Sequence, residues 1–430
     1  MTVIRGERGR PVLALVESNT TGTGRTFAVA ARARGLRPVL LSLRPDRYPW
    51  VAEDDVDVAR ADTSDATSVV AVARAAAEGA PLAGLVTSSE YFVAVTARAA
   101  ARLGLPGADP VAVERCRDKR RQRRTLQAAG VAVPAFASAV SPEEAAEAAE
   151  AIGFPVVVKP ADGTGSRGVR LGCDAAEVRH HAAALLAVRH DERGRPTLPV
   201  VLVEEHVTGP EVSVETFGTD VVGVTAKHLG RLPSFVEIGH DFPADGAVPP
   251  GAAALAAIEA LGLGFGPAHT EIRLGRRGPV VIEVNARLAG GRIPTLVRLA
   301  TGIDLIGATI DAVVLGGFRR PLPEPEPGHA SIRFLVPPRP GRVRRTAGVA
   351  AAAGVPGVVD VAITARPGQR VGGTGSFLDR VGHVIAAAAT ATAARSAAET
   401  ALALLELDLG PDDAPAEGDQ ARRPAATGAR

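Results

Sequence analysis

Three lysines, Lys119, Lys159 and Lys227, stand out in this chain because the other 46 of its 49 basic side chains are arginines. Where a retained Lys sits, the need is for a compact ammonium on a flexible stem. A narrow slot between phosphate oxygens is such a place, since a planar guanidinium fork is wider and differently directed. Lys159 ends an apolar run inside residues 154–170, FPVVVKPADGTGSRGVR. The string Gly163-Thr-Gly165-Ser166-Arg-Gly168 matches G-x-G-x-x-G in spelling, yet an extended run, Val169-Arg170-Leu171, follows it where a dinucleotide fingerprint requires a helix. No Gly-Lys-Ser/Thr of a P-loop occurs either. The context predicts a β-hairpin flap whose glycines let backbone N–H groups close over anionic oxygens, with Lys159 beneath them.

A second set of groups lies in residues 266–287, GPAHTEIRLGRRGPVVIEVNAR, two alternating β-runs joined by a turn. A three-residue loop at Arg276, Arg277 and Gly278 places Glu271 opposite Glu283. Directly opposed side chains have Cβ atoms roughly 5 Å apart, and like charges so placed destabilise a sheet. A divalent cation offsets that repulsion. The all-oxygen set Glu271, Glu283 and Asn285 suits Mg²⁺, with Mn²⁺ as an alternative, better than zinc. By period two, Asn285 and Arg287 share the face of Glu283, while Ile282 and Val284 point into packing.

The elements that must hold these groups follow from the surrounding pattern. PVLALV, a small-residue loop SNTTGTGR, an Ala-rich helical stretch to Gly35 and PVLLSL make a β-loop-α-β unit. The pattern recurs through a helix near 67–78, the strand GLVTSS and a helix over 91–103, which predicts an open parallel α/β domain over residues 1–117. The glycine loop fails the dinucleotide fingerprint at its last position and reads as a tight turn. Residues 118–320 carry the motifs and have α+β character, with a flap subdomain over about 134–205. Residues 321–328, PLPEPEPG, form a proline-rich connector to a smaller C-terminal β-rich domain over 321–410, and residues 411–430 should be disordered.

Composition narrows the function classes. Basic and acidic side chains nearly cancel, 49 against 47, so no single-sign field recommends nucleic acid. The densest basic cluster, residues 115–124, lacks interleaved aromatics and reads as a solvated helix face. Only Cys116 and Cys173 occur, in no metal-ligand spacing, which points to a cytoplasmic protein without a disulfide framework. No apolar run reaches membrane-spanning length.

Taken in order, these motifs resemble the ATP-grasp superfamily, and over residues 80–320 its carboxylate–amine ligase branch, which includes L-amino acid ligases. RDKRRQRRTLQAAGVAVP resembles the segment of the first ATP lysine, Lys119, and FPVVVKPADGTGSRGV that of the second, Lys159, with the flap. VLVEEHVTGPEVSVE is similar to the adenosine segment, which implies Glu204 and the backbone of Glu205 to Val207 at adenine and Glu211 at the ribose hydroxyls. His206 stands where an apolar residue is commoner. HTEIRL and IEVNARLAGG imply magnesium on Glu271, Glu283 and Asn285. The resemblance further implies that a carboxylate attacks the γ-phosphate of ATP and that an amine then displaces phosphate from the acyl phosphate. Arg287 would hold the carboxylate, Gly290 and Gly291 would donate backbone N–H groups, and His240 would face the substrate; Lys227 gets no role beyond lining the cleft. The implied partners are a small-molecule carboxylate and amine, and a homodimer, as is common among relatives. A carboxylase or purine-pathway ligase activating bicarbonate or formate, and an ATP-binding module without turnover, stay open as alternatives.

Overall fold

The computed structural model describes residues 9–19, 22–245, 250–316 and 328–412. The proline-rich connector and most of the C-terminal tail predicted above lie outside them.

The first 117 residues contain a four-stranded parallel sheet. Its strands are β1 (Val12–Val16), β2 (Arg37–Ser42), β3 (Asp57–Arg60) and β4 (Leu82–Val86), in the order β3-β2-β1-β4. All of β1 and β2 is buried, as expected of near-continuous apolar runs covered by helices on both faces. The sequence pattern missed β3, whose DVAR alternates weakly. The helix Ala66–Ala77 starts where Asp65 accepts the N–H groups of Thr67 and Ser68, and the helix Thr23–Ala33 follows the glycine loop.

The flap subdomain is an antiparallel sheet of β5 (Phe136–Ala139), β6 (Val156–Pro160), β7 (Arg170–Gly172) and β8 (Val201–Glu205), ordered β5-β8-β6-β7. Ser141 caps the helix Pro142–Ile152 by accepting the N–H of Glu144, with Pro at its first position, as a helix start prefers.

Eleven strands follow. They are β9 (Glu211–Phe217), β10 (Asp220–Leu229), β11 (Glu237–Phe242), β12 (Pro267–Gly275), β13 (Gly278–Asn285) and β14 (His329–Leu335). Then come β15 (Gly341–Ala347), β16 (Val358–Ile363), β17 (Arg370–Val371), β18 (Gly382–Ala388) and β19 (Glu406–Leu409). Eight of them form one sheet, β13-β12-β9-β10-β11-β14-β18-β16, so three C-terminal strands extend the sheet that carries the acids. The other three pair as β17-β15-β19. One face of the large sheet packs on the helix Gly251–Leu261 through Val212, Val214, Ile272, Val281 and Val284. The opposite side chains of β9, β12 and β13 are thereby left to line a cavity.

Candidate active site

The flap has the predicted form. β6 pairs antiparallel with β7 across the glycine turn, and Gly165, Ser166 and Gly168 all have positive φ. A Cβ on Gly165 would lie 2.4 Å from the Phe377 ring, so only glycine lets the flap tip rest on the C-terminal region. Lys159 at the end of β6 is buried and ion-paired with Glu204, which also accepts from Arg123 Nε at 2.6 Å. Burial lowers the pKa of Lys159, and Glu204 opposes the shift.

Lys119 comes from a different element. It opens the helix Lys119–Ala128, whose first turn is capped by Asp118, and its N–H donates to Ala161 O at 2.9 Å, beside the flap. Its ammonium donates to Gly163 O at 2.7 Å and meets Glu283 Oε1 at 3.0 Å. The two lysines, 40 residues apart in sequence, thus line one cavity of about 750 Å³.

Glu271 stands opposite Glu283 in the β12–β13 ladder, as the spacing predicts, but by another route. The turn has two residues, Arg276 and Arg277, and pairing from Gly275↔Gly278 to Ile272↔Val281 runs one residue out of that register. A bulge at Ile282 restores it. The bulge also corrects the expected direction of Ile282, which lines the cavity, while Val284 is fully buried as expected.

Each opposed acid has a lysine. Lys227 reaches Glu271, Glu211 and Glu237 at 2.8, 2.7 and 2.8 Å. Burial works against the ammonium, but the three carboxylates outweigh it and hold its pKa well above the ordinary lysine value. Burial and the neighbouring acids Glu211, Glu283 and Glu237 push Glu271 up to about 7, with Lys227 opposing. Against burial, Lys119 and Lys159 hold Glu283 at about 2.

Asn285 gives the test of whether a cation fits. Burial and Arg287 lower His269 to about 4, so its ring is neutral near neutral pH. Its Nδ1–H donates to Arg287 O at 3.0 Å, leaving Nε2 to accept from the Asn285 amide at 3.3 Å. The amide oxygen then faces Glu283 Oε1 at 3.2 Å and both Glu90 oxygens at 3.3 Å. The reversed amide would satisfy the carboxylates but turn its oxygen on an imidazole nitrogen that carries no proton. Oxygen facing oxygen suits a hard divalent cation. Among the described residues no three His, Cys, Asp or Glu side chains form a metal cage. Mg²⁺ takes one or two carboxylates and completes its shell with waters and phosphates, a set to which Glu271, Glu283 and the Asn285 oxygen could contribute.

Arg287, just after β13, is ion-paired with Glu90, donates to Leu288 O at 2.7 Å and lines the cavity. Glu90 sits at the end of the first sheet and also takes Arg117 at 3.0 Å. Despite burial these two guanidiniums hold it at about 2. Gly290 and Gly291 lie between Arg287 and the helix Ile293–Thr301. A Cβ on Gly291, at φ +59°, would come 2.3 Å from the His240 ring.

His240 is therefore a correction. It is fully buried beneath Gly291, with Nδ1 3.2 Å from Gly291 O and Nε2 3.0 Å from Glu237, and it does not line the cavity. Gly168 also lies outside the lining; its carbonyl faces His181 and a Cβ there would strike Leu185 at 2.6 Å. The structure brings Lys119, Lys159, Gly163, Gly165, Ser166, Glu204, Glu205, Val207, Glu211, Glu271, Glu283, Asn285, Arg287, Gly290 and Gly291 to the cavity wall. Of these, Glu211 is engaged by Arg273 at 2.8 Å and Lys227, and Glu205 by Arg277 at 2.6 Å. His206 lies edge-on to Phe235, ring centroids 6.1 Å apart, so its imidazole serves there as an aromatic wall. Glu90, Arg117 and Glu237 were not found from sequence. Glu90 follows the carboxyl end of a parallel strand, where ligand crevices form, and that was the available signal.

Family models match in chain order: an ATP-grasp N-terminal domain over residues 28–107, an ATP-grasp domain over 152–295, and L-amino acid ligase C-terminal domain 2 over 333–410. An uncharacterized protein, y4rH, from Sinorhizobium fredii is 37% identical over 409 residues, 94% of this chain and 84% of that protein. Alanine–anticapsin ligase from Bacillus subtilis strain 168 is 28% identical over 54% of each chain. Carnosine synthase from Gallus gallus is 29% identical over 67% of this chain, which spans 34% of that enzyme. The crystal structure of an L-amino acid ligase from Bacillus licheniformis superposes with a TM-score of 0.77 over 94% of this chain and 100% of that one, at 22% identity. With the motifs, the fold and these likenesses together, the chain belongs to the ATP-grasp superfamily, in its L-amino acid ligase-like branch of carboxylate–amine ligases.

Proposed function

We propose that this protein is a cytoplasmic ATP-dependent ligase that joins the carboxylate of an amino acid or small acid to an amine, releasing ADP and phosphate. The carrying observation is that Lys119, Lys159, the opposed pair Glu271 and Glu283, and Arg287 all line one cavity. Lys119 and Lys159 are suited to phosphate oxygens, and the flap glycines to closing over them. Glu271, Glu283 and the Asn285 oxygen would hold Mg²⁺, which when bound neutralises charge on the transferred phosphoryl group. Arg287 presents a fork that binds carboxylate or acyl-phosphate oxygens in bidentate fashion. The open backbone at Gly290 and Gly291 supplies N–H groups for the tetrahedral centre.

The flap tip at Gly165 packs against Phe377 at the cavity edge, where closing over bound nucleotide would shield an acyl phosphate from water. Lys227 keeps Glu211, Glu237 and Glu271 in place and so acts as a positioning residue. Incubation with ATP, Mg²⁺ and mixed amino acids should release ADP and phosphate in step with a new amide. AMP and pyrophosphate as the nucleotide products would contradict the reading.

A further inference from the structure

The parallel sheet β3-β2-β1-β4 has a topological switch point between β1 and β4, because the chain leaves β1 toward β2 on one side and later adds β4 on the other. Open α/β sheets form ligand crevices at such points, outside the carboxyl ends of the strands. Here those ends carry small polar side chains. Asn19 N–H donates to Ser88 Oγ at 3.1 Å, and Ser18 Oγ lies 3.2 Å from it. Asn19 Oδ1 accepts the N–H of Thr23, the first residue of the helix Thr23–Ala33. Gly24 cannot be larger: its Cβ would lie 2.0 Å from Ser18 Oγ. Asn19, Thr23 and Ser88 line the same cavity as the lysines, yet the ligase chemistry uses none of them.

Two cations complete the pocket. Arg193, from the flap side, donates to Tyr48 Oη at 3.0 Å and Ser18 O at 2.8 Å. Arg47 lines the cavity, and its side chain has no hydrogen bond or ion pair with any described residue. The nearby acids are already engaged. Glu17 accepts from Ser42, Leu43 N–H, Tyr48 and Thr63, and Glu192 is held by Tyr91 and Arg167.

We propose that this switch point is a subsite for an anionic group, carboxylate or phosphate, that one of the two substrates carries away from its reacting atom. The assignment rests on the ligase reading for its substrates, but its test does not need turnover. The chain has a single tryptophan, Trp50, buried three residues from Arg47 with its ring 6.4 Å from that of Tyr48. The full chain is titrated with glycine against glycinamide and with O-phosphoethanolamine against ethanolamine, following Trp50 emission. The two probes that carry a carboxylate or phosphate should give saturable changes and their counterparts without that group none, and the tighter of the two identifies the source of the anionic charge. Arg47→Ala should weaken anion binding about tenfold or more, the loss of one charged hydrogen bond, while Arg47→Lys keeps part of it. Equal binding of probes with and without the anionic group, no response to glycine or O-phosphoethanolamine, or unchanged affinity in Arg47→Ala would overturn the subsite. Failure of wild type to form ADP with any amino acid mixture would count against the ligase reading alone.

Discussion

Arg37 and Asp57 face each other inside the first sheet at 2.8 Å, both side chains almost wholly buried, with Arg37 Nη2 also donating to Ala76 O at 2.6 Å. Lys227 is nearly as deeply buried, but its three carboxylates line an open cavity. The first pair is closed on protein groups, and no ligand can reach it to exchange a partner. The second is one of several ion pairs on the cavity wall, with Lys119–Glu283 and Lys159–Glu204, whose members would trade a protein partner for phosphate or cation in the proposed reaction. Burial alone therefore does not separate a structural ion pair from a functional one. Access to a cavity, and an excess of one sign around a single ion, does.

The comparison can be broken at either end. Arg37→Ala leaves a buried carboxylate short of its cation and should cost about 3–5 kcal/mol in unfolding free energy with kcat per folded molecule unchanged. Denaturant titration beside active-site-normalised kinetics checks both. Lys159→Ala should do the reverse. Removing one preorganised electrostatic contact should lower kcat roughly 10²–10³-fold. The melting temperature should move little, because Arg123 still holds Glu204. A large stability loss there would put Lys159 in the structural class.

A third case sharpens the closed class through pH. Asp241 is surrounded by Arg333, Arg395, His228 and Ser331. Burial opposes its charge, but the hydrogen bonds from His228, Arg333 and Ser331 outweigh it and lower its pKa. With the folded value below the unfolded one, its contribution is present above about pH 4 and is lost as pH falls further. Asp241→Asn should flatten the acid limb of a stability–pH curve. The smallest effect is expected at Gly278, where φ is +99° and a Cβ would meet nothing within 4 Å. Gly278→Ala should cost about 1 kcal/mol of backbone strain and leave the Glu271–Glu283 register unchanged.

Much of this site could be read from the chain because its chemistry breaks local rules. Lysines in an arginine-writing sequence, and like charges across a hairpin, need explanations that a solvated surface does not supply. The Glu271–Glu283 pairing was reached through a loop that does not exist, because a two-residue turn with a bulge and a three-residue turn give the same pairing at that position. What stayed hidden came from long-range packing. His240 alternates correctly toward the site, yet the chain at Gly291 folds over it. Glu90 reaches Arg287 from a short helical turn 197 positions away, and Glu237 reaches Lys227 from a segment with no strand signal. No spacing within a motif encodes either contact.

The central claim is that a carboxylate oxygen becomes bonded to the γ-phosphorus of ATP in this cavity. It is tested most directly by supplying, with both oxygens ¹⁸O-labelled, the carboxylate that best supports phosphate release, together with ATP, Mg²⁺ and the amine. Mass analysis of the released phosphate should show one ¹⁸O per molecule, transferred with the leaving group. Phosphate free of label, formed at the same rate as the amide, would contradict the account.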